Sequence, residues 1–171
     1  MLGDVVLDDL LAGNAGFAAS FDHGDLGPQP VRRLAVVTCM DVRLDVYAML
    51  GLELGDAHVI RNAGGRVTDD VLRSLIVSVE VLGVTTVAVI QHTECGMAKV
   101  TNRELAELLR ERRGVDPSSI DFLAIDDHAD AIRNDVDFLR SSPYLPADLD
   151  VCGMLYDVRS GRLAPVDELD D

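Results

Sequence analysis

Three short apolar runs, each running straight into a polar motif, constrain this chain more than any other feature. Leu34-Ala35-Val36-Val37-Thr38, Ala57-His58-Val59-Ile60 and Thr85 to Ile90 are rich in consecutive apolar and β-branched residues. That is the pattern of strands buried on both faces. Between the second and third runs, Thr68 can cap a helix in which Val71, Leu72, Leu75, Ile76, Val79 and Leu82 recur at helical spacing, with Gly83 as its stop. Strands alternating with helices predict a parallel sheet joined by crossover helices. Such a sheet delivers whatever follows its strands to one end, where open α/β sheets place their sites.

The rest of the chain extends this α/β pattern. Thr101-Asn102-Arg103-Glu104 reads as a capping box before a helix carrying Leu105, Leu108 and Leu109. A further helix is expected over about 127–141, with Ile132, Val136 and Leu139 on one face and Pro143 beyond its end. Val151 to Val158, a turn at Ser160-Gly161, and Leu163 to Val166 read as a closing strand or hairpin. Before the sheet, residues 4–12 (Asp4, Val5, Val6, Leu7, Leu10, Leu11) predict a short amphipathic helix, then a Gly-rich irregular segment closed by Pro28 and Pro30. The expected organisation is one domain over 1–171, with residues 1–30 as an arm poorly suited to pack alone and suited to lie across a neighbouring subunit.

The motifs after the strands carry the chemistry. Cys39-Met40-Asp41-Val42-Arg43 follows the first, Arg61-Asn62-Ala63-Gly64-Gly65 the second, and His92-Thr93-Glu94-Cys95-Gly96 the third. Two thiolates and an imidazole suit zinc, so Cys39, His92 and Cys95 are the candidate metal ligands. A structural zinc site would close its shell with a fourth Cys or His, but Cys152 falls in an expected core strand. His23, His58 and His128 have no motif partner. Three ligands with an open fourth position fit a catalytic ion, which lowers the pKa of a bound water to about 7. Asp41 and Arg43 are the candidate catalytic pair, Arg43 holding Asp41 ionised and off the metal so that Asp41 can orient that water. Arg61 and Asn62 are expected to support the loop. Gly64 and Gly65 form part of no phosphate-binding motif, since neither G-x-G-x-x-G nor G-K-[ST] occurs.

Charge and cysteine usage narrow the partners. The net charge of −15 argues against nucleic acid or an anionic membrane surface. The acids are 23 Asp against 7 Glu, and the bases are 14 Arg with Lys99 alone as lysine. This fits either a protein adapted to high salt or a genome biased toward arginine codons. Three cysteines without a C-x-x-C argue for metal or catalytic use rather than a disulfide framework. Met1-Leu2-Gly3-Asp4 lacks a signal-peptide pattern, and no run approaches the ~20 apolar residues of a membrane span, so a cytoplasmic location is expected.

Taken in order, C-x-D-x-R, R-N-A-G and H-x-x-C-G resemble the β-class carbonic anhydrases, specifically their short archaeal and bacterial form, with the likeness strongest from Val36 to Ala98. The resemblance implies a parallel sheet of about four strands with flanking helices, an added C-terminal edge strand and an N-terminal helical arm. It implies one zinc per chain on Cys39, His92 and Cys95, with Asp41 and Arg43 controlling the fourth position. It also implies a homodimer or higher homo-oligomer in which N-terminal helices embrace the partner, and reversible hydration of carbon dioxide to bicarbonate and a proton. Hydrolases of carbon disulfide or carbonyl sulfide resemble the same short form and stand as the alternative, with a silent zinc-binding homologue as a third reading. Met40 and Val42 stand where many relatives carry small polar residues, which predicts a more apolar pocket. The chain has no Trp, so a Trp-containing bicarbonate regulatory site is not expected.

Overall fold

The computed structural model describes residues 2–169, with side chains from Val6 onward. Four parallel strands, β1 (Leu34–Cys39), β2 (Ala57–Asn62), β3 (Thr86–His92) and β4 (Asp150–Tyr156), form the sheet, and β5 (Leu163–Pro165) adds an antiparallel edge to β4. The strand order is β2-β1-β3-β4-β5. The chain leaves β1 toward one side of the sheet and reaches β3 on the other, so the crevice between the ends of β1 and β3 is a topological switch point. Cys39 ends β1 and His92 ends β3, which puts both at that crevice.

One face of the sheet is closed by α3 (Asp69–Ile76) and α5 (His128–Arg140). Val71, Leu75, Ile132, Val136 and Leu139 pack there on Ala35, Val37, Val87 and Val89. The other face is thinner: α2 (Val46–Leu50), which the sequence did not announce, packs Val46 on Val36, Ala88 and Ile90, while Val59, Cys152 and Met154 stay partly exposed. The expected caps form, Thr68 accepting from the Val71 N–H and Thr101 and Glu104 making the reciprocal capping box of α4 (Asn102–Arg113). Among the described residues, no helix is long and apolar enough to cross a membrane.

Two elements depart from the sequence expectation. The N-terminal helix α1 runs Leu2–Ala18 rather than stopping near residue 12; the side chains of Asp4 and Val5 from the expected face lie outside the described residues. Once a helix is nucleated, each added residue gains a hydrogen bond, so Ala12, Ala15 and Ala18 carry it through Gly13 and Gly16 at about 1 kcal/mol per glycine. The helix after Thr68 is α only to Ile76 and then widens into a π turn over Val77–Val81. β-branched Val77, Val79 and Val81 crowd a tightly wound turn. Ser78 turns inward there, its Oγ 2.9 Å from Nδ1 of His58.

Candidate metal centre

The candidate ligand residues sit where strand ends meet tight turns. Cys39, His92 and Cys95 are buried, and their donor atoms lie within 4.8 Å of one another. The Cys39 and Cys95 sulfurs are 3.9 Å apart; two sulfurs 2.3 Å from one tetrahedral zinc stand about 3.8 Å apart. Nδ1 of His92 is 2.9 Å from the Thr93 carbonyl. A carbonyl only accepts, so Nδ1 carries the proton and Nε2 keeps a free lone pair. That buried Nε2 has no hydrogen-bond partner among the described residues. An orphaned imidazole nitrogen beside two thiols is costly in a plain core and is what a metal site leaves without its ion. The donor set therefore fits zinc.

The sulfurs are electrostatically prepared. The Cys39 thiol is pulled down to about 4, chiefly by hydrogen bonding from Cys95, with His92 and the backbone of Asp41 and Gly64 adding to it. The same contact, together with burial, pushes Cys95 up. A bound cation favours both sulfurs as thiolates and displaces their protons.

Asp41 and Arg43 form the expected pair in bidentate geometry. Oδ1 accepts from Arg43 Nε and from the Arg43 backbone N–H, both at 2.9 Å, and Oδ2 accepts from Nη2 at 2.8 Å. Arg43 thereby holds the Asp41 carboxyl well below the usual carboxylate range. Oδ2 also lies 3.8 Å from Nε2 of His92. The structure thus brings all five predicted site residues to one crevice. Arg61, expected as support, donates from Nε to the Cys39 carbonyl at 2.9 Å and from Nη2 to the Asp41 carbonyl at 2.6 Å. Met40 and Val42 point outward, 64% and 97% exposed, so they border the crevice rather than fill it.

Gly65 explains the glycine pair. Its φ is +65°, and a Cβ there would come within 2.8 Å of the Cys39 nitrogen and 2.9 Å of the Thr38 carbonyl carbon. The loop is pressed directly onto β1 at Cys39, which only a residue without a side chain allows.

Sequence reasoning missed several contributors. Glu94, between His92 and Cys95, has a left-handed backbone (φ 56°) and pairs with Arg159, with Arg43 Nη1 3.7 Å away. Gln91 is fully buried, its Oε1 3.0 Å from Nδ1 of His128. Arg66 and Asp135 form a buried ion pair behind the loop. Asp135 is a charge among Ile132, Val136 and Leu139 on the apolar face of α5, a local sign of a buried charge that does not point to its partner. The remaining histidines are away from the metal group: His58 is held by Ser78 and the Pro28 carbonyl, and His23 lies beside Asp22 at the surface. Cys152 is half-buried, its thiol 3.7 Å from the Val87 carbonyl.

Comparison with known proteins finds relatives along most of the chain. A family profile described as carbonic anhydrase matches residues 34–163. Beta-carbonic anhydrase 1 of Mycobacterium tuberculosis is 38% identical over 161 residues, 94% of this chain and 98% of that protein. The crystal structure of a carbonic anhydrase from Streptococcus mutans superposes with a TM-score of 0.90 at 43% identity, covering 94% of this chain and 96% of that one. A carbon disulfide hydrolase from Acidianus sp. is 33% identical over 156 residues, 77% of this chain and 76% of that protein.

Proposed function

Because the chain belongs to the β-carbonic anhydrase family, a family of lyases, we propose that it reversibly hydrates carbon dioxide to bicarbonate and a proton. One zinc ion per chain would be held by Cys39, His92 and Cys95, with Asp41 and Arg43 as the catalytic pair. The observation that carries this reading is the buried, unpartnered Nε2 of His92 facing two thiols beside a carboxylate. When bound, zinc supplies a nucleophile near neutral pH by acidifying a water molecule.

The protein's own residues do the rest. The Thr93 carbonyl fixes the His92 tautomer, so Nε2 is the donor atom. Arg43 occupies both Asp41 oxygens, which holds the carboxylate ionised and restrains it from moving onto the ligands. Asp41 accepts a hydrogen bond from the attacking water and thereby orients it toward the carbon. Arg61 fixes the backbone on either side of Met40. Free thiols at Cys39 and Cys95 suit a reducing, cytoplasmic setting.

We further infer a single domain over 1–171 that works as a homodimer through its 1–30 arm. Leu7, Leu10, Leu11 and Phe17 of α1 are exposed, Leu10 to 66%, as are Met40 and Val42 beside the site. A second copy covering both would remove apolar surface from water and wall the crevice. Light scattering with size-exclusion chromatography should give twice the chain mass, falling toward one chain when residues 2–18 are removed.

The competing substrate is carbon disulfide, favoured by the identity to the Acidianus hydrolase. The near end-to-end match to Beta-carbonic anhydrase 1 favours carbon dioxide. One zinc-quantified preparation assayed on both gases decides between them. Proton release from carbon dioxide without sulfide release from carbon disulfide supports the proposal. Sulfide release without carbon dioxide hydration reverses it, and inactivity toward both gases indicates a silent homologue.

A further inference from the structure

Arg66 follows the Gly64-Gly65 turn and is 8% exposed, while Asp135, on the inward face of α5, is 5% exposed. Their contact is bidentate: Nε donates to Oδ2 at 2.7 Å and Nη2 to Oδ1 at 3.1 Å. Asp135 Oδ2 also accepts the Val67 N–H at 3.2 Å, and Arg66 Nη1 donates to the Leu123 carbonyl at 3.0 Å. On the opposite side, Asn62 closes the loop on itself, Nδ2 donating to the Arg66 carbonyl at 2.7 Å and Oδ1 accepting the Arg66 N–H at 2.9 Å. The segment from Asn62 to Val67 is therefore tied to α5 and to the chain before it.

What this segment presses against is the proposed ligand set. Gly65 lies under the Cys39 backbone, and a Cβ on Gly64 would be 3.3 Å from Met97, two residues after Cys95. A buried ion pair gains little net stability over an apolar pair of equal volume, because desolvation offsets its attraction. What an apolar pair lacks is direction, whereas a guanidinium fork on a carboxylate fixes both distance and angle.

We propose that Arg66 and Asp135 are positioning residues that set the 62–66 loop against Cys39, and with it the affinity of Cys39, His92 and Cys95 for their metal ion. Neither side chain touches a ligand atom; they act through Gly64 and Gly65. The inference rests on the metal reading above. Groups of this kind, one step outside the ligands, typically change metal affinity 10–100-fold.

Cobalt(II) tests it without reference to turnover. The dissociation constant, by chelator competition, and the thiolate-to-cobalt charge-transfer band are compared in wild type, Arg66→Lys and the double variant Arg66→Met/Asp135→Leu. The double variant leaves no unpaired buried charge, but it removes the acceptor of the Val67 N–H, so its denaturation midpoint is expected somewhat below wild type. The expected result is a dissociation constant raised about tenfold or more, with a shifted or weakened band. Wild-type affinity and band in the double variant would overturn the proposal and reduce the pair to packing. If the double variant does not fold, the same readings on Arg66→Lys decide, since it keeps the charge but loses the fork. Failure of the metal reading itself looks different: wild type would then show no charge-transfer band, and this inference would fall with it.

Discussion

Each residue at the crevice is held by at least one contact that limits what it can do. Asp41 has both oxygens on Arg43, so it stays ionised and aimed, and its proposed role is to orient water rather than to bind metal. Asp41→Asn is expected to keep one zinc per chain and to lose about 100-fold in kcat for carbon dioxide hydration, within the usual range for losing a positioned acid–base group. Metal analysis beside stopped-flow hydration checks both halves, and an unchanged rate would remove Asp41 from the reaction. Gly65 is constrained by space and by its φ of +65°. Gly65→Ala should destabilise the fold by about 2 kcal/mol or more, combining left-handed strain with contact on the Cys39 backbone. An unchanged denaturant midpoint would show that the loop has room to move.

At the scale of elements, the sheet was legible because its strands are consecutive apolar runs, and the site was legible because each motif follows a strand directly. Cys39 and His92 had to reach the same end once β1 and β3 were parallel. Long-range polar contacts were not legible, because nothing local joins Arg66 to Asp135 or Glu94 to Arg159. The π turn at Val77–Val81 was hidden for a similar reason, since its inward Ser78 answers His58 in another strand. α1 was underestimated because the glycines at 13 and 16 read locally as a break. Helix α4 shows the opposite case, a local signal that held. Thr101→Ala should loosen that helix by about 1 kcal/mol. Glu104, its partner in the box, is held below the ordinary glutamate range by the Thr101 N–H and then the Thr101 hydroxyl. A carboxylate whose pKa is lowered by folding stabilises above its unfolded value and loses that contribution as pH falls through the folded one. Amide exchange at the start of α4 should therefore quicken on acidification below the carboxylate range. Exchange there that is indifferent to pH, after correction for intrinsic rates, would contradict the capping assignment.

For the whole molecule, two features dominate: a net charge of −15 and a buried group of two thiols and one imidazole that could hold a metal ion. Among the described residues most ion pairs are exposed and add little, so mutual repulsion among the acids is the larger salt-sensitive effect. The melting temperature is expected to rise by several degrees between dilute buffer and molar sodium chloride as that repulsion is screened. No rise would reject adaptation to salt and leave arginine-rich codon usage as the source of the composition. The central claim is that hydration of carbon dioxide depends on one zinc held by Cys39, His92 and Cys95. Its most direct test is the stopped-flow hydration rate of apo-protein titrated with zinc, with Cys95→Ala alongside. The expected rate climbs in proportion to bound zinc, levels off at one ion per chain and is absent in the variant. A rate that ignores zinc content, or that survives in Cys95→Ala, would contradict it.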